Sequence, residues 1–274
     1  MSGEVDPLYI AARRVMLDAL EALGEQRDAI VLVGAHAIYY FAGESNLPVA
    51  VFTTDADFSI AADLLTDDPL LGDLMMAKGF FRGNDVGRWE SPSGVVVDLM
   101  VPEALAGPKR TATSRSAQLG VHGKDVARRA KGLEGSLVDR EWATIASLDP
   151  NDDRNVEVWI AGPGALLVAK THKIYERINQ PNRLGDKDAL DIYRLLQAVS
   201  TEDLVRRLVS LQDSEVSREV TADAVKYLPE LFANRGAVGV AMALRAAGAP
   251  PEGENLAASL VVLVGDIVNS LNAT

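Results

Sequence analysis

Asp55 and Asp57 are the first residues in this chain whose types and spacing imply chemistry. They stand two apart in VAVFTTDADFSI (49–60), a run rich in β-branched and aromatic residues that predicts a strand. In a strand, positions i and i+2 leave the same face, with Cα atoms roughly 6.5–7 Å apart. Two carboxylates so placed raise one another's pKa unless a cation sits between them. A hard divalent ion, Mg²⁺ or Mn²⁺, answers that need, because it takes few protein carboxylates and leaves its other positions to water and phosphate oxygens. Asp98 is a third acid, set within the apolar run GVVVDLMVP (94–102). There it either ends a strand near solvent or is held for a cation. Two metals bridged by these three acids, roughly 3.5–4 Å apart, would activate an attacking hydroxyl and stabilise a leaving pyrophosphate.

The elements that must position these acids are legible in part. AIVLVG (29–34) is a short apolar run stopped by Gly34, which predicts a buried strand, and AHAIYYFAG (35–43) predicts a short helix. The Gly34–Ala35 turn between them lets backbone N–H groups approach a phosphate. Residues 5–24 and 68–80 predict helices, and residues 81–102 predict a hairpin turning near Ser91–Gly94. From about residue 161 helical periodicity dominates. The expected fold is therefore α/β (α+β), with a mixed-sheet core in 1–160 and a helical C-terminal half in 161–274, divided near Gly162–Pro163–Gly164.

Two of the downstream helices carry charge beside an apolar stripe. At about 100° per residue, Lys170, Lys173 and Arg177 share one face, and Asp188 and Asp191 share a face of the next helix. The two sets either form a structural salt-bridge seam or present the basic stripe to a triphosphate with an acid holding a lysine in place. Lys187 and Asp191, four apart, predict a surface pair.

Taken together, Gly34-Ala35-His36-Ala37, Thr53-Thr54-Asp55-Ala56-Asp57 and VVVDLMVP resemble the core of the nucleotidyltransferase superfamily. The nearest resemblance is to the AbiEii-like branch, which includes the MenT-type toxins of toxin–antitoxin pairs. AGPGALLVAKTHKIYERI and DKDALDIYRLL are similar to that branch's lysine helix and Lys-Asp-x-x-Asp helix, so the likeness spans roughly residues 28–197. It implies a nucleotidyltransferase-like mixed-sheet core and a metal-dependent transfer of a nucleoside monophosphate from a nucleoside triphosphate to an acceptor hydroxyl. A tRNA acceptor and a cognate antitoxin are the partners it brings with it. By similarity Asp55 and Asp57 bind Mg²⁺ or Mn²⁺ and Asp98 assists, while Lys170 or Lys173 contacts the nucleotide phosphates. Asp188 or Asp191 completes the site, and Gly34, Ala35, Thr53 and Thr54 line the nucleotide. Ala35 departs from the pattern, since the superfamily usually carries serine, threonine or a second glycine there, so one hydroxyl contact to phosphate is missing.

Composition bounds these expectations. The chain has 274 residues, 48% of them hydrophobic, and no cysteine, so disulfides and thiolate metal sites are excluded. An acidic N-terminus unlike a signal peptide, and an apolar run at 256–268 too short to span a bilayer and broken by Asp266, lead to the expectation of a soluble, cytoplasmic protein without membrane contact. A net charge of −12 disfavours a surface that grips nucleic acid everywhere. Yet Lys109, Arg110, Arg115, Lys124, Arg128, Arg129 and Lys131 are opposed locally only by Asp125. That strip is either a solvated face or an RNA-contacting one lying outside the metal site, in which case reversing Arg128 and Arg129 weakens RNA binding and leaves nucleotide binding alone. A small cationic acceptor of the aminoglycoside kind, or a catalytically silent nucleotide-binding module, are the rival outcomes. His36, His122 and His172 have no zinc-ligand spacing, and His36 is expected to be a partly buried helix residue.

Overall fold

Asp6 opens the first helix of the computed structural model: its carboxylate accepts the Leu8 amide at 2.7 Å, and Pro7 occupies the first helical position. Residues 6–43, 53–109, 111, 113–180, 185–248 and 253–273 are described. Helix α1 (Pro7–Ala22) buries Met16, Leu17 and Leu20 and packs on the sheet that follows. Strand β1 (Ile30–Val33) is wholly buried and leads into α2 (Gly34–Ala42). Next come β2 (Asp55–Ile60), α3 (Leu71–Ala77), β3 (Phe81–Arg82), β4 (Arg88–Glu90) and β5 (Val96–Pro102). Residues 49–52 of the expected 49–60 strand lie outside the described residues. The expected turn joins β4 to β5, with the Ser91 amide donating to Val95 O at 2.9 Å and Gly94 at φ 81°.

Three further strands complete the sheet: β6 (Arg128–Ala130), β7 (Arg140–Ala146) and β8 (Asn155–Ala161). They join β1–β5 in one mixed sheet of order β3-β4-β5-β2-β1-β8-β7, with β6 alongside β5. β2 runs antiparallel to β1 and parallel to β5, which brings Val33 and Asp98 to either side of Asp57.

The chain turns helical at Pro163. Helix α4 (Pro163–Arg177) has no capping side chain on Gly162; instead Asp139, just before β7, accepts the Ala165 amide at 3.0 Å and the Arg207 guanidinium at 2.5 Å. Helices α5 (Asp186–Ala198), α6 (Thr201–Asp213), α7 (Arg218–Phe232), α8 (Val238–Ala246) and α9 (Gly253–Asn272) follow. α4 and α5 pack directly on α2, and a single apolar core runs through the sheet and the helices. α9 is a 20-residue helix, longer than the apolar run within it, and by length and composition alone it could cross a membrane. Its Leu256, Leu260, Val264 and Ile267 belong to the core, and it packs against α6, α7 and α8.

Candidate active site

Asp57 lies on the floor of a cleft of about 360 Å³. The register puts it opposite Val33, so the turn residue Gly34 comes against its side chain. Gly34 has φ +70°, and a Cβ there would collide with the Asp57 carboxylate and lie 2.8 Å from its Cβ. Backbone geometry and close approach thus both demand glycine at this point. Gly34→Ala is expected to displace Asp57 and abolish divalent-metal stabilisation measured by thermal melting; an unaltered metal response would show that the turn does not set the acid's position.

The three acids differ in their surroundings. The Asp55 carboxylate accepts the Thr53 hydroxyl at 2.6 Å and lies 3.7 Å from Lys187 Nζ. Burial raises its pKa, but Lys187, the Thr53 hydrogen bond, Lys173 and Lys170 together hold it below the usual carboxylate range. Asp98 lies 3.5 Å from the Arg128 guanidinium. Asp57, between them, is pushed up to about 6 by burial and the Asp55 charge, with Asp98 adding to that and Lys173 and Lys170 opposing it. The middle acid therefore carries the unmet demand for positive charge. Among the described residues no three His, Cys, Asp or Glu side chains are grouped so that together they could hold a metal ion. A pair of acids on one strand fits a hard cation that draws its remaining ligands from water and substrate phosphate.

Several residues singled out in the sequence take other roles. Thr53 is fully buried with its hydroxyl committed to Asp55, so it positions that acid rather than lining a nucleotide. Ala35 is buried in the first turn of α2, and Thr54, on the exposed bend before β2, is not among the residues lining the cleft. Asp188 and Asp191 are buried behind the cleft, where both accept Lys170 Nζ, at 2.6 and 2.8 Å. Asp191 also accepts the Arg194 guanidinium at 3.0 Å. These two acids hold cations and do not complete the floor. Burial lowers the Lys170 pKa, yet the two aspartates more than compensate and keep it charged. Burial likewise raises the Asp188 pKa, and Lys170 and Lys173 override it. Lys173 is the half-exposed member: held at 3.1 Å by Asp188, it reaches the cleft. Lys187 reaches Asp55 on another element and not Asp191 on its own helix. His36 is fully buried, stacked on Tyr9 at a centroid distance of 5.3 Å, and burial drives its pKa down to about 3.

Comparison with protein-family models, with curated proteins and with solved structures gave no match.

The basic strip is not a separate surface. Lys109, Arg115, Arg128 and Lys131 line the cleft that holds Asp57, as do Lys170, Lys173 and Arg177, while Glu103, paired with Lys109 at 2.7 Å, and Glu176 line it as acids. The cause is β6, which runs parallel to β5 and delivers Arg128 beside Asp98. Arg129 also touches the cleft, but its guanidinium is buried against the protein, where it donates to Ser116 O at 3.1 Å, Ala106 O at 3.1 Å and Gly107 O at 3.0 Å and pairs with Glu103 at 3.3 Å. Reversing Arg129 would therefore break a buried anchor, so the double reversal does not isolate RNA contacts. Arg110 lies outside the described residues. The sequence carried one signal for this arrangement, the density of cations at 109–131, and lacked any for the strand that splits it.

Proposed function

We propose that this protein is a metal-dependent nucleotidyltransferase that moves a nucleoside monophosphate from a nucleoside triphosphate to an acceptor hydroxyl. One observation carries the reading: Asp57, of an Asp-x-Asp pair beside a glycine turn, lines a cleft whose cations outnumber its acids, in a chain of net charge −12. Asp55 and Asp57 hold Mg²⁺ or Mn²⁺. Bound there, the cation would supply charge to neutralise the phosphates in a transfer that joins the acceptor oxygen to the α-phosphorus and releases pyrophosphate. Asp98 would be the ligand of a second metal or the base that takes the acceptor proton. Lys173 neutralises the phosphates, and Lys170, with Asp188, fixes where Lys173 stands. The nucleotidyltransferase-like topology of the sheet belongs to the same proposal, as does a toxin–antitoxin setting, for which only the sequence resemblance speaks.

The excess of cations over acids in the cleft lining favours a polyanionic acceptor such as tRNA over a cationic small molecule. Arg115 is exposed at the cleft and forms no ion pair among the described residues, which makes it the cleanest probe. Arg115→Glu is expected to weaken tRNA binding several-fold and to lower the salt slope by about 0.7–0.9 per lost contact. Unchanged RNA affinity across a salt series would argue for a small acceptor. Incubation with each labelled nucleoside triphosphate, Mg²⁺ and total tRNA tests the activity itself. Label in RNA supports the proposal, whereas binding without turnover would indicate a silent module.

A further inference from the structure

The flanking acids of the candidate site are already engaged by the protein's own cations. Lys187 Nζ, from the first turn of α5, lies 3.7 Å from Asp55, and the Arg128 guanidinium, from β6, lies 3.5 Å from Asp98. Among the described residues Asp57, between them, has no such partner. Both contacts reach across the fold: α5 belongs to the helical half, and β6 enters the sheet beside β5. Both cations are partly exposed, at 46% for the Lys187 side chain and 20% for that of Arg128, so neither is locked by packing. Lys170 contrasts with them: it is buried between two aspartates that leave it no freedom.

We infer that Lys187 is an exchangeable internal counter-ion, which occupies Asp55 in the metal-free protein and transfers to the triphosphate when a divalent cation takes the Asp55–Asp57 pair. This rests on the reading of that pair as the metal site. An ammonium 3.7 Å from a carboxylate oxygen competes for the electron pairs a metal would use. A lysine at this place suits exchange because its ammonium is a point charge on a flexible stem, with no bidentate geometry to lose. Once displaced, the charge remains beside the acids, where the metal-bound phosphates arrive. Lys187 thus disfavours metal without nucleotide and favours the two together, making their binding cooperative. Arg128 occupies the corresponding position on Asp98, but its planar fork and deeper burial make it the more fixed of the two.

The test is calorimetric titration of Mn²⁺ into the full chain, alone and with a non-hydrolysable nucleoside triphosphate analogue. Lys187→Gln should bind Mn²⁺ alone about two- to fivefold more tightly than the wild type, the range expected for removing a partly exposed ion pair. It should also lose part of the enhancement that the analogue gives to Mn²⁺ affinity. Lys187→Arg keeps the charge and should stay near wild type. Lys226→Gln, on the exposed face of α7, removes the same charge away from the α5–β2 contact and corrects for net charge. Equal Mn²⁺ affinity in Lys187→Gln and Lys226→Gln would overturn the inference. The underlying reading fails separately, if the wild type binds no Mn²⁺ or if Asp57→Asn binds it as well as the wild type.

Discussion

Asp57→Asn should raise the melting temperature of the metal-free protein at pH 7.5 while destroying its response to metal. The folded protein holds the Asp57 proton up to about pH 6, whereas an unfolded chain releases it near the ordinary carboxylate value of 3.8. Between those values the native state binds the extra proton, so this group's contribution to stability falls as pH rises and is fully lost above about 6. At neutral pH the unmatched charge costs up to about 3 kcal/mol, and asparagine removes it, raising the melting temperature by about 2–8 °C. Below pH 4 the two proteins should melt together, because wild-type Asp57 is then protonated. Metal requires the ionised carboxylate, so metal affinity in the wild type should rise with pH through about 6 and be missing in the mutant. Transfer activity should fall by about three orders of magnitude, in keeping with loss of several kcal/mol of metal-derived stabilisation. A mutant that melts lower than wild type at pH 7.5 would mean that Asp57 already has a cationic partner and is not the site of unmet charge.

The two lysines of α4 should separate in kind. Lys170→Ala leaves Asp188 and Asp191 buried side by side with their shared cation gone, and such losses cost about 3–5 kcal/mol. A fall of about 6–20 °C in melting temperature is expected. Lys173→Ala removes a partly exposed contact to Asp188, worth at most about 1 kcal/mol to stability, but takes a charge from the cleft. It should melt close to wild type and bind nucleoside triphosphate at least about tenfold more weakly, the effect of one charge-assisted contact. Melting curves and nucleotide titrations on both variants decide the matter. Equal losses of stability would make the two lysines one structural seam, and undiminished nucleotide affinity in Lys173→Ala would remove phosphate binding from α4.

The sequence alone determined the local geometry. Two aspartates spaced by the strand period share a face whatever the fold, and the glycine after β1 was legible because an apolar run stops there. The Ser91–Gly94 turn and the helical texture after residue 161 were legible for the same reason: turn chemistry and periodicity are properties of adjacent residues. What only the tertiary structure decided is which of these pieces meet. Strand register set Asp57 between Val33 and Asp98, and no local pattern encodes register between strands separated by long connections. The three-residue β6 is too short to show a period, yet it divides neighbouring arginines, sending Arg128 to the acids and Arg129 into the protein. In the same way Lys187 has an aspartate four residues along its own helix and pairs instead with Asp55, because α5 is carried to the end of β2 by its packing on α2. Spacing along the chain fixes which faces charges occupy, but the partner each charge finds depends on how the faces are stacked, and burial of apolar surface drives that stacking.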